Sequence, residues 1–302
     1  MALITGISFF YIINKQGNSN TSSSESSTIS KIETQTSSVT STSTITSSLS
    51  SLLSSSSSQL STSASTTSIV TSVNPNTTLI APIIMYHHIH PEFVKSSDAI
   101  LAGLTVTPAK FEADLLEFQK KGYTTVFPQE FFEEFTKDES KRIKDPIILT
   151  IDDGYVDNYE YAYPLLKKYN MKAIIYVIPN KVGITEGNNI YLTWEQMKEM
   201  RASGLVEIGS HTMDHKDLST LSKRDQTYQI AESKKIIEEK LDMKVNDLCY
   251  PYGRYNPTSM EVAKEAGFSN AITTAYGFKH KFSSRFEWSR VRSRQGGTYT
   301  EL

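Results

Sequence analysis

The chain has a single cysteine, Cys249, among 302 residues. An intramolecular disulfide is therefore excluded, and so is a zinc site built on several thiolates. Any metal here must rely on histidine and carboxylate. An excess of one charge is also missing: 31 basic side chains face 33 acidic ones, giving a net charge of −2 and a pI near 6.3. No global field favours nucleic acid or an anionic membrane surface. No basic stretch interleaved with aromatics offers a platform for base stacking, so nucleic acid is not an expected partner. No apolar run reaches the ~20 residues of a membrane-spanning helix, and no internal repeat is visible.

What is present begins with an apolar start. Residues 2–13 are almost wholly apolar and Lys15 follows them. This stretch reads as the remains of a signal peptide or signal anchor. From 18 to 78 the sequence is nearly all serine and threonine, with scattered aliphatics. Such a segment cannot bury enough apolar surface to offset its chain entropy, and it reads as a stalk open to O-glycosylation. Asn20-Thr21-Ser22 and Asn76-Thr77-Thr78 also fit the N-glycosylation pattern. The expected organisation is an apolar signal or anchor at 1–17, a stalk at 18–78 and a catalytic head at 79–302. The head is expected to be monomeric and extracellular or at the cell surface, tethered to the membrane through the N-terminus. A serine-rich cytosolic linker is the alternative.

From 79 onward, strands and helices alternate. Residues 79–86 read as a first strand leading into His87-His88-Ile89-His90. A helix is expected over 108–121, opened by Pro108 and stopped by Gly122. A short strand at 123–127 and a short helix at 128–135 follow. Further helices are expected over 158–169, 193–202, 221–241 and 257–266. Further strands are expected at 147–151, 173–178, 205–209, 247–250, 271–274 and 288–291. This alternation implies an α/β fold with a parallel sheet, with enough units to close into a barrel.

Two of these strands end in chemistry. The run Ile147-Ile148-Leu149-Thr150-Ile151 stops at Asp152-Asp153-Gly154. Successive strand side chains diverge, so a sharp turn at Gly154 is needed for both carboxylates to face one pocket. The strand ending at Gly209 runs into His211-Thr212-Met213-Asp214-His215. One helical turn there would set both imidazoles on a common face. Two imidazoles and one carboxylate suit zinc with a position left open, or another divalent first-row metal.

Thr150-Ile151-Asp152-Asp153-Gly154, His211-Thr212-Met213-Asp214-His215 and Tyr250-Pro251-Tyr252-Gly253 resemble, in order, the first three motifs of the polysaccharide deacetylases (NodB-homology, carbohydrate esterase family 4). Pro82-Ile83-Ile84-Met85-Tyr86-His87, Gly122-Tyr123-Thr124-Thr125-Val126 and Tyr191-Leu192-Thr193-Trp194 are similar to the poly-N-acetylglucosamine deacetylase branch. The resemblance implies a distorted (β/α)7 barrel that removes N-acetyl or O-acetyl groups with a divalent metal, zinc first and cobalt or nickel as alternatives. It implies that Asp153, His211 and His215 hold the metal, that Asp152 is the general base, and that the Tyr252 backbone N–H steadies the oxyanion.

The family often carries an arginine just before its Pro-Tyr-Gly, where Cys249 stands here. Arg290 or Arg292, which share a strand face, can replace it; Arg290 joins the expected catalytic set. The leucine-x-histidine that supplies the family's general acid is not evident, and His280, in a lysine-rich segment, reads as solvated. His88 and His90 read as structural or exposed. His87, Trp194 and Tyr250 are the expected substrate-binding residues, with Trp194 also at a spacing compatible with core packing. The expected substrate is an N-acetylglucosamine-containing polysaccharide. An O-acetyl ester, a small amide, or a carbohydrate-binding head without turnover are the rival readings.

Overall fold

A computed structural model describes residues 73–302 of the protein. The expected signal segment and most of the stalk, 1–72, lie outside the described residues. Seven strands carry the architecture: β1 (Ile83–Tyr86), β2 (Pro146–Ile151), β3 (Ala173–Val177), β4 (Val206–Ser210), β5 (Asp247–Cys249), β6 (Asn270–Tyr276) and β7 (Trp288–Arg292). Each pairs in parallel with the next, and β7 pairs in parallel with β1. The sheet thus closes on itself as the (β/α)7 barrel read from the sequence. Its distortion has two sources. β4 and β5 meet only at Ser210 and Leu248, and the β6–β7 register shifts between Ile272 and Tyr276.

Strand alternation sorts the side chains. Ile83, Ile148, Ile174, Tyr176, Cys249, Ile272 and Trp288 fall in one buried cluster inside the barrel, closed by Phe131 and Phe135. The neighbours of opposite parity, including Ile84, Ile147, Leu149, Ile151 and Ile175, pack beneath the surrounding helices. Each such side chain contributes ~1.5–3 kcal/mol when taken out of water, so two-sided burial holds these strands more than propensity does. Gly209 fits this inner packing for steric reasons: a Cβ there would lie 2.6 Å from the Tyr176 ring.

Several expectations are corrected. Residues 79–86 do not form one strand. Pro82 has no N–H to give a ladder, and the chain breaks there. Thr78–Ile80 pairs antiparallel with Lys279–Lys281, while β1 enters the barrel. His280 is not solvated. It is 1% exposed, its Nε2–H donates to the Ala81 carbonyl at 2.9 Å, and its ring lies against Phe131 and Trp288. The helices expected over 158–169 and 221–241 each contain a π turn, at Asn158–Ala162 and Tyr228–Glu232. A short helix, Ala99–Gly103, capped by the Asp98 carboxylate, had no periodic signal in the sequence. The same holds for a hairpin of Thr185–Glu186 with Asn189–Ile190.

Candidate active site

The inward-facing series on three strands runs on past the strand ends. Ile83 and Met85 lead to His87, Ile148 and Thr150 lead to Asp152, and Gly209 leads to His211. Parity alone therefore delivers these three side chains to the barrel mouth, at the C-terminal ends of the strands, where parallel α/β barrels place their chemistry. Asp153 has the opposite parity. It is brought back because it adopts φ 74°, followed by Gly154 at φ 74°. The turn thus strains a non-glycine residue as well as using the glycine. Gly154 is also tightly seated, since a Cβ there would meet Val177 Cγ1 at 2.9 Å.

The two histidines do not share a helical turn as the i,i+4 spacing suggested. Thr212 and His215 have φ 66° and 57°, and the segment folds back as a loop. It reaches the same result by another route. His211 Nε2 and His215 Nε2 lie 3.5 and 3.4 Å from Asp153 Oδ1. A four-coordinate ion with bonds of ~2.0–2.1 Å holds its ligands about 3.3–3.4 Å apart, so the three groups fit a single divalent metal. His211 Nδ1–H donates to the Cys249 carbonyl at 2.7 Å, which fixes the tautomer and frees Nε2. Burial, aided by His215, lowers the His211 pKa and favours the neutral imidazole that a metal needs. Burial alone would raise Asp153, but the facing imidazoles outweigh it and its pKa is lowered. The donor set suits zinc, cobalt or nickel. The Cys249 thiol stands near Asp152 and His211, yet burial pushes it well up, which keeps it protonated.

Arg290 occupies the place beside Asp152. It is the next inward position after Trp288 on β7 and is 1% exposed. Nη1 and Nη2 donate to Asp152 Oδ1 and Oδ2 at 2.8 and 2.7 Å. Nε donates to the Thr273 carbonyl at 2.7 Å, Nη1 to Thr150 Oγ1 at 3.0 Å, and Nη2 to Cys249 Sγ at 3.4 Å. All five N–H donors are used. The small thiol at 249 leaves the room that an arginine from another strand fills. Burial pushes Asp152 up, but the guanidinium prevails and holds it well below the usual carboxylate range.

His87 completes the inner wall, with Nε2 3.8 Å from Asp152 Oδ2. Burial lowers its pKa, against the opposing pull of Asp152 and Asp153. Its loop is braced by groups the sequence did not single out. Asn158 Nδ2 donates to the His87 carbonyl at 2.9 Å and to Asp157 Oδ1 at 2.8 Å. His88 Nδ1 and Asp157 Oδ2 form a buried pair at 2.5 Å, and the His88 ring stacks on Tyr155 at 3.6 Å. His88 is thus structural, as expected. The available signal was Asp157-Asn158 closely following the Asp152-Asp153-Gly154 turn, but nothing in the sequence paired them with His88.

Tyr252 takes φ 58° between Pro251 and Gly253, and its N–H donates to no backbone group among the described residues. Its ring packs edge-on against His215 at 4.5 Å. Gly253 is obligatory: at φ 67°, a Cβ would lie 2.7 Å from the Thr274 backbone nitrogen. Tyr250 is fully buried, stacks on Tyr255 at 4.6 Å and has a hydroxyl without a hydrogen-bond partner among the described residues. His87, Asp152, Asp153, His211, His215 and Tyr250 all line one cavity of about 370 Å³. Trp194 does not line it. It begins the helix Trp194–Ala202 and packs its ring on the outer core, so of its two expected roles the structure supports core packing. Among the described residues, no helix is long and apolar enough to cross a membrane.

Comparison with known proteins agrees with this geometry. The family model described as polysaccharide deacetylase matches residues 139–271. That stretch contains Asp152, Asp153, His211, His215 and Tyr252, while His87 and Arg290 lie beyond its ends. YxkH of Bacillus subtilis, named provisionally as a polysaccharide deacetylase, is 36% identical over 215 residues, 71% of this chain and 72% of its own. The poly-beta-1,6-N-acetyl-D-glucosamine N-deacetylase of Staphylococcus aureus is 28% identical over 61% of this chain and 63% of its own. Among solved structures, the Streptococcus pyogenes deacetylase PplD, in complex with acetate, superposes with TM-score 0.65. It is 32% identical, over 73% of this chain and 95% of that one. IcaB from Ammonifex degensii gives TM-score 0.62 at 27% identity, over 71% of this chain and 91% of that one. The chain therefore belongs to the polysaccharide deacetylases, the NodB-homology or carbohydrate esterase 4 family of hydrolases that cleave N-acetyl amide bonds.

Proposed function

We propose that the protein is a metal-dependent N-deacetylase of an N-acetylglucosamine-containing polysaccharide, acting at the cell surface. The observation that carries this reading is the meeting, at one barrel mouth, of the Asp153–His211–His215 set with the Arg290-held Asp152. The kinship with a Staphylococcus aureus poly-N-acetylglucosamine deacetylase supports the substrate class. The apolar start and Ser/Thr stretch of the sequence support surface attachment.

Asp153, His211 and His215 would hold the metal, which when bound polarises the acetyl carbonyl and acidifies water. Asp152 accepts the proton of the attacking water. Arg290 occupies one side of each of its oxygens and leaves lone pairs for that transfer. The same grip keeps Asp152 ionised and fixed in direction, so it serves as an oriented acceptor more than as a strong base. The N–H of Tyr252 stands ready to donate to the oxyanion of the tetrahedral intermediate. His87, the remaining imidazole of the cavity wall with Nε2 3.8 Å from Asp152 Oδ2, would hold the acetamido group and pass the proton that Asp152 has accepted on to the departing amine. Attack by water, cleavage of the C–N bond and that protonation yield acetate and a free amine.

The test is acetate release from partly acetylated β-linked glucosamine oligomers by the chelator-stripped protein, before and after addition of Zn²⁺, Co²⁺ or Ni²⁺. Metal-dependent release that disappears in Asp152→Asn is expected. Acetate from acetylated xylan, but none from these oligomers, would move the activity to O-acetyl esters.

A further inference from the structure

The barrel mouth holds a second arginine, which no carboxylate among the described residues pairs directly. Arg292 is the next inward position after Arg290 on β7, one step nearer the opening. It is half-buried and lines the catalytic cavity. It also lines an adjoining cavity of about 250 Å³ with Arg294 and the exposed Tyr276. Among the described residues it has no hydrogen-bond acceptor and no carboxylate within ion-pair distance, whereas Arg290 uses every donor it has. Burial lowers its pKa, with Arg290 and Arg294 adding to the effect and Asp152, already gripped by Arg290, opposing it. Glu301 lines the adjoining cavity too, where it raises the Tyr276 pKa, but it forms no ion pair with Arg292. A partly desolvated guanidinium without an acceptor is costly unless a ligand supplies one.

A second neighbouring cavity differs. Beyond Ile100 and Leu104 lies a cavity lined by Asp98 and Glu186. These carboxylates are already occupied, Asp98 by the N–H groups of Ile100 and Leu101 and Glu186 by Lys181. Among the described residues lining the mouth, Arg292 is thus a charge without a paired carboxylate, open to a ligand.

We infer that Arg292, with Arg294 behind it, recognises an anionic group carried by the glycan beside the acetylated sugar. The planar guanidinium fork matches a carboxylate or a phosphate. The preferred substrate is then an acidic glycan, not a uniformly neutral one. This inference rests on the N-deacetylase reading and narrows its substrate.

The experiment compares acetate release by the metal-loaded full chain from three oligomers of equal length and acetylation: one neutral, one carboxylated and one phosphorylated. The wild type is expected to favour at least one anionic oligomer in kcat/KM by about tenfold or more, mainly through KM. The carboxylate and phosphate arms identify which group is read. Arg292→Gln should abolish the preference and Arg292→Lys should keep part of it. Arg294→Gln, at an exposed position where folding is not at risk, should weaken it. Inorganic phosphate should compete with the anionic oligomer. Equal kcat/KM for all three oligomers, or a preference unchanged by both glutamine variants, overturns the inference and leaves the deacetylase standing. Release from none of them overturns the deacetylase reading and this one with it.

Discussion

Arg290 grips both carboxylate oxygens of Asp152 from a position 138 residues later in the chain, and both side chains are buried. Neither group is tolerable there without the other. Arg290→Met should cost about 3–5 kcal/mol of stability, because it strands a buried carboxylate. Pairing it with Asp152→Leu should restore much of that stability and none of the activity. Asp152→Asn should lower kcat by ~10²–10⁴-fold. Urea unfolding of the three variants, with acetate assays alongside, checks this. A double variant no more stable than Arg290→Met alone would refute the pairing.

Metal content gives a separate test of the ligand set. Asp153→Ala, His211→Ala and His215→Ala should each lose most bound zinc by atomic emission, and Asp152→Asn should keep it. A chelator should lower the melting temperature of the wild type, since an ion bound only by the native state stabilises it. Full metal content in His215→Ala would remove that residue from the set.

His280 predicts an acid-sensitive fold. Its Nδ1 is buried without a partner among the described residues, and burial pulls its pKa down to about 4. An unfolded histidine titrates near ~6.5. As pH falls from about 6.5 to 4, the unfolded state takes up the proton and the folded state does not. The stability from this group is therefore complete above pH ~6.5 and lost through that window, by at most about 3 kcal/mol. His280→Gln keeps an N–H donor and cannot titrate, so its unfolding midpoint should fall less between pH 7.5 and 4.5. Parallel losses in wild type and variant would assign the acid sensitivity to other groups.

Trp194 separates packing from recognition. Its ring rests on the outer core, away from the catalytic cavity. Trp194→Ala should cost about 1–3 kcal/mol in stability, below the range for a fully buried tryptophan. KM for an N-acetylated oligomer should stay within about twofold. A large rise in KM with unchanged stability would return Trp194 to the substrate groove.

The fold and the chemical centre were legible because both are written in strand parity. Ile148-Thr150-Asp152 and the run into His211 carry their side chains inward by counting alone. His280 was misread although the same count applied, since Lys279 and Lys281 face water and the residue between them must face in. What stayed hidden depends on backbone reversals and on partners distant in sequence. The positive φ of Asp153, Thr212 and His215 has no signature in residues that rarely adopt it. The choice between Arg290 and Arg292 needed the β7 register, which sets one beside Asp152 and the other at the rim. The Ala99–Gly103 helix and the 185–190 hairpin are too short to show periodicity, yet both border the mouth.

The barrel closes between its first strand and its last, β1 against β7. During synthesis Asp152 emerges long before Arg290, and the carboxylate has no counter-charge until the final strand leaves the ribosome and docks. The site is thus assembled by the same event that completes the fold. A nascent or clipped chain lacking β7 would expose strand edges and an unheld carboxylate together. Such a chain becomes a target for proteolysis and not a slower enzyme, so activity and completeness of the barrel are one quality-control checkpoint.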